Sequence, residues 1–161
     1  MKIKKIFSIV TLLAMTLTAN AQFEAEKVYI GSSLTGLDLS YNGERDMNFG
    51  FQADGGYFVE DNWLIKGTVG LSKAGKYADW GLIAGAGVRY YIQQNGLFVG
   101  LGCKVNLESN HTDVLPGAEF GYAFFINDKI AIEPALYYDH SIDDHENKST
   151  VGLKIGLGLF F

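Results

Sequence analysis

The last eleven residues constrain this chain more than any other stretch. From Val151 to Phe161 the odd positions are Val151, Leu153, Ile155, Leu157, Leu159 and Phe161, and the even ones are Gly152, Lys154, Gly156, Gly158 and Phe160. Side chains alternate faces along a β-strand, so one face of this segment is wholly apolar and the other small or charged. Its length matches the roughly 9–11 residues with which a tilted strand crosses a bilayer.

The same period of two recurs upstream. It predicts strands over 49–59, 63–71, 80–90, 97–107, 114–124 and 130–139. A first strand, about 27–41, starts with Val28 and Ile30 on the apolar face and then changes phase to Leu37, Leu39 and Tyr41. That change predicts a bulge near Ser33 to Gly36. With the closing segment this makes eight strands. Tight polar links (Glu60 to Asn62, Gln93 to Gly96, Asn127 to Lys129) follow the even strands before the last. Longer or more polar ones (Asn42 to Asp46, Ser72 to Asp79, Glu108 to Asp113, His140 to Ser149) follow the odd strands. Membrane barrels have this parity, with short turns on the side that holds both termini.

Composition agrees. Twenty Gly recur through the regular segments, where helices would penalise them. At the N-terminus, Lys2, Lys4 and Lys5 precede the apolar stretch Ile6 to Leu17, and Ala19-Asn20-Ala21 fits a small-x-small cleavage site. A signal peptide over 1–21 and a single domain over 22–161 are expected. Beyond the signal no apolar run reaches 18 residues, so no transmembrane helix is expected. Removing the three signal lysines from 13 basic residues leaves 10 against 18 acidic, a balance of −8. That sign argues against nucleic acid as a partner. Cys103 is the only cysteine, which excludes an intramolecular disulfide and a thiolate metal cluster.

Alternation alone fits a soluble lipocalin-like barrel as well as a membrane one. The polar face separates them. It carries about one charge per strand, with Gly or Ala at most other places, whereas a water-facing surface is roughly a quarter to a third charged. Small residues instead suit the crowded interior of an eight-stranded barrel. The apolar face holds almost no charge, and Trp63, Trp80, Tyr90, Tyr122, Phe124, Tyr138 and Phe161 fall toward strand ends, as in interfacial girdles. The polar face then becomes an interior with Lys66, Arg89, Lys104 and Lys154 opposing Asp38, Asp54, Glu119 and Glu133. Four against four is what a packed polar core requires, because buried charges must pair. A closed, salt-bridged plug is the preferred reading over a gated pore.

The segments GGYFVEDNWLIKG (Gly55 to Gly67) and GYAFFINDKIAIEPAL (Gly121 to Leu136), with the closing strand ending in Phe161, resemble the small OmpA/OmpX-type outer-membrane barrels. The resemblance covers the whole mature chain. It implies an eight-stranded antiparallel up-and-down transmembrane β-barrel in the bacterial outer membrane. It also implies that Phe161 acts as the signal read by the barrel-assembly machinery. With the sequence ending there, no peptidoglycan-binding domain is expected. These motifs are architectural, so they carry fold further than function.

Candidate chemistry is sparse. Some eight-stranded barrels are lipid A deacylases with a His, Ser and acidic triad, and the last loop holds His140 and Ser141. Adjacent residues on a strand point to opposite faces, which departs from the deacylase pattern. Asp143, Asp144, His145 and Glu146 form an acidic cluster without the Gly and spacing of an EF-hand loop. Gly85-Ala86-Gly87 and Gly100-Leu101-Gly102 complete no nucleotide fingerprint and precede no helix. Cys103 falls on the apolar face. No catalytic, cofactor or metal residue is assigned. The expectation is a monomeric, non-enzymatic outer-membrane protein in contact with membrane lipid and lipopolysaccharide, acting structurally or through external loops. A lipid A-modifying enzyme and a narrow solute pore are the alternatives.

Overall fold

The computed structural model describes residues 23–37, 48–74, 80–92, 95–108, 111–142 and 149–161. The strands are β1 (Val28–Leu37), β2 (Asn48–Glu60), β3 (Trp63–Ala74), β4 (Trp80–Tyr91), β5 (Leu97–Glu108), β6 (His111–Tyr122), β7 (Phe124–Phe125), β8 (Ile130–Asp139) and β9 (Thr150–Phe160). Each pairs antiparallel with its neighbours, and β9 pairs with both β8 and β1. The sheet closes where β6 meets β8 from Gly117↔Asp139 to Gly121↔Ala135. The two-residue β7 continues the line of β6 past a break at Ala123 and pairs with β8. The nine segments therefore form the eight staves of an up-and-down barrel.

Local chemistry sets the turns. Asn62, between β2 and β3, has φ 68°, a left-handed conformation that Asn tolerates better than most residues. Gly96, before β5, has φ 86°, where a Cβ would be strained. Asn127 Oδ1 accepts from the amides of Lys129 (2.9 Å) and Ile130 (2.8 Å), a side-chain turn that starts β8. The phase change expected in the first strand is a register shift between Thr35 and Leu37. One expected loop is shorter than its sequence suggests. Glu108 pairs with His111, so β5 and β6 extend into the segment 108–113.

Exposure decides which face is inside. Leu101 is 67% exposed and Val69 60%, whereas Arg89 is 2% exposed and Lys154 7%. Apolar side chains point out and charges point in, the reverse of a water-soluble barrel. Such a surface is stable against hydrocarbon, and the β6–β8 pairing closes the sheet, as a membrane-spanning barrel requires. The main staves are 10 to 13 residues long, enough to cross.

Candidate functional site: the filled lumen

Inner-face glycines make room for the large inner side chains. Arg89 pairs across the ladder with Gly100, and Gly100 with Glu119. With no side chain between them, Arg89 Nε reaches Glu119 Oε1 at 2.9 Å. A Cβ on Gly100 would stand 2.6 Å from Glu119 Cγ. The row Lys66↔Gly87↔Gly102↔Gly117↔Asp139 works the same way, with charge at both ends and bare backbone between.

Mid-barrel, these charges converge. Glu119 lies 2.9 Å from Arg89, 3.1 Å from Lys66 and 2.5 Å from Lys154. Arg89 Nη1 also donates to Glu133 Oε2 at 2.9 Å. Lys66 lies 3.7 Å from Asp54, whose Oδ1 accepts from Thr68 Oγ1 at 2.5 Å. Lys104 pairs with Asp139 at 2.5 Å, nearer the loop end. Beside Lys66, Lys104, Glu119, Tyr137, Asp139 and Lys154 a cavity of about 40 Å³ remains. That is room for only a few waters.

The sequence-derived interior network is therefore placed as follows. Asp54, Lys66, Arg89, Lys104, Glu119, Glu133 and Lys154 all lie in the lumen and all join ion pairs. Asp38 lies outside the described residues. Lys104 takes as its partner Asp139, an inner-parity residue that sequence reasoning left out of the network. It also missed two tyrosines: Tyr29 Oη donates to Glu133 Oε2 at 2.6 Å, and Arg89 Nη1 donates to Tyr91 Oη at 3.0 Å.

The end holding Phe23 and Phe161, here the terminus end, is filled differently. Phe23, Phe58, Leu64, Tyr91, Phe98 and Phe160 are buried together there. Phe23 stacks on Tyr91 with ring centroids 3.9 Å apart and meets Phe125 and Phe160 edge-on at 5.5 and 5.7 Å. A short strap holds it. Asn62 N donates to Phe23 O (2.7 Å), Ala25 N to Asp61 Oδ1 (2.9 Å) and Glu26 N to Phe58 O (2.9 Å). Tyr91 joins the two fillings, with its ring on Phe23 and its hydroxyl on Arg89.

On the outer face, Trp63 packs near Tyr90 (4.8 Å) and Tyr122 near Phe124 (4.3 Å), all at the terminus end with Phe161. Trp80 and Tyr138 lie toward the loop end and are exposed. Phe161 exchanges two backbone hydrogen bonds with Val28, both 2.9 Å, which seals β9 to β1. His140 and Ser141 part company. Ser141, fully buried, donates through Oγ to Asp113 Oδ2 at 2.7 Å. His140 Nδ1 lies 3.3 Å from Ser149 Oγ and 3.1 Å from Tyr138 Oη. Asp143 to Glu146 lie outside the described residues.

An apolar outer belt around a charged, filled lumen defines a transmembrane β-barrel of the outer-membrane class. The chain belongs to the outer membrane protein beta-barrel domain family, which it matches over residues 7–161. No curated protein matches it. Among solved structures it is similar to the N-terminal β-barrel domain of Pseudomonas aeruginosa OprF, with 13% identity and a TM-score of 0.63, covering 85% of this chain and 98% of that one. Neisserial surface protein A is similar at 14% identity and TM-score 0.57, covering 84% and 96%. The Yersinia pestis outer membrane protein Ail follows at 14% and 0.54, covering 84% and 99%. At these identities the likeness is one of fold.

Proposed function

We propose that this chain is a monomeric, non-enzymatic protein of the bacterial outer membrane whose barrel passes no solute. It contacts membrane lipid and lipopolysaccharide through its apolar belt and meets its surroundings through its external loops. The observation that carries this reading is the doubly filled lumen. The Arg89–Glu119–Glu133 network occupies mid-barrel, and the Phe23 cluster occupies the terminus end. Export through a signal peptide cleaved after Ala21 and insertion by the barrel-assembly machinery through Phe161 belong to the same proposal. Cleavage there would leave only Gln22 ahead of Phe23, the residue that the strap holds.

Planar-bilayer recording with the purified, refolded protein tests the closed state. No stable current steps are expected above the detergent control. Reproducible, sizeable single-channel events from wild-type protein would replace this reading with a pore.

A further inference from the structure

Among the described residues five carboxylates lie in the lumen: Asp54, Asp113, Glu119, Glu133 and Asp139. Four of them have a Lys or Arg nitrogen within ion-pair distance, at 3.7 Å for Asp54, 2.9 Å for Glu119 and Glu133, and 2.5 Å for Asp139. Asp113 has none among the described residues. It is only 6% exposed, and among the described residues its side chain accepts one hydrogen bond, from Ser141 Oγ to Oδ2. Its other oxygen, Oδ1, is buried without a partner.

Directly opposite on the β5–β6 ladder stands Asn106, whose Oδ1 is also buried without a partner. Cross-strand partners have Cβ atoms about 4.5–5.5 Å apart on the same face, so both oxygens can reach one point between them. Two buried acceptors on opposed ladder positions cannot satisfy each other. Turning the Asn106 amide over would supply one N–H to Asp113. It would still leave a buried carboxylate with no counter-charge among the described residues, which is the costlier defect. The nearest inward cation on β5, Lys104, is committed to Asp139.

We propose that Asp113 and Asn106 hold a calcium ion at the loop-end mouth of the barrel, with Ser141 fixing the carboxylate. The donors are a carboxylate and an amide carbonyl, both hard oxygens. Calcium accepts irregular oxygen shells and fills the remaining positions with water, whereas magnesium demands a near-octahedral set. One carboxylate and one amide make a weak site, on the order of 10⁻⁴–10⁻³ M, the range of extracellular modules. Such a site fills where calcium is millimolar and empties under chelation. The ion supplies the missing positive charge and cross-links β5, β6 and the segment after β8.

The test is thermal unfolding in detergent micelles, read by the gel mobility of folded and unfolded barrel, in calcium chloride and in EDTA. Millimolar calcium is expected to raise the wild-type midpoint. Asp113→Asn removes the lone charge, so its midpoint in EDTA should exceed the wild-type value and should no longer respond to calcium. An Asp143→Asn/Asp144→Asn variant should keep the full response. Equilibrium dialysis with radioactive calcium gives a second readout: one ion per wild-type barrel, and roughly tenfold tighter binding in Asn106→Asp, since ligand charge tunes calcium affinity. That second variant keeps the question open to refutation if Asp113→Asn does not fold. An unresponsive wild type, a full response in Asp113→Asn, loss of the response in the loop variant, or no tightening in Asn106→Asp would each overturn the site.

Discussion

The two fillings of this lumen sit one above the other and obey different physics. Mid-barrel, Glu119 is shared by Arg89, Lys66 and Lys154 at 2.9, 3.1 and 2.5 Å. At the terminus end, Phe23 is held by rings and a three-bond strap. A buried charge network is costly to break, because each deletion leaves unpaired charge away from bulk water. An aromatic cluster at an open end loses contact area instead, and neighbouring rings or entering water recover part of it. The middle should therefore be brittle and the end forgiving.

Glu119→Gln should do the most damage. It removes the carboxylate that three cations share, and breaking a buried pair costs about 3–5 kcal/mol. Urea unfolding in micelles, followed by the gel shift between folded and heated barrel, would show it as a much lower midpoint. Phe23→Ala should cost less, about 3 kcal/mol, the low end for losing a buried aromatic, because the cluster lies at the barrel mouth and can close in. The same unfolding curve measures it. If Phe23→Ala proved as costly as Glu119→Gln, the contrast between a brittle middle and a forgiving end would fail.

The two fillings were also unequally legible. Period-two alternation marked both faces along every stave, and the inner glycines marked a crowded interior. That alone puts Lys66, Arg89, Glu119 and Lys154 in the lumen. It did not say which charge meets which. Ladder neighbours such as Arg89 and Gly100 follow from register, but Arg89 meets Glu133 across the lumen, which depends on barrel shear. Lys104 took Asp139 for the same reason. The aromatic end was hidden by the rule that revealed the rest. Phe58, Phe98 and Phe160 occupy inner-parity positions that a small-or-charged reading passes over, although each lies close to a terminus-side turn or chain end. Phe23 precedes the first strand and belongs to no alternating segment, so no pattern marks it.

The central claim is the inverted polarity of the wall, with apolar side chains in lipid and charged or aromatic ones inside. Single-tryptophan proteins test it most directly. With Trp63 and Trp80 replaced by Phe, tryptophan is introduced at the exposed Leu101 or at the buried Phe98, and the barrels are reconstituted in bilayers of chain-brominated lipid. Leu101→Trp fluorescence should be strongly quenched by the bromines and Phe98→Trp fluorescence nearly untouched. Equal quenching at both positions, or stronger quenching at 98, would contradict the arrangement of the faces.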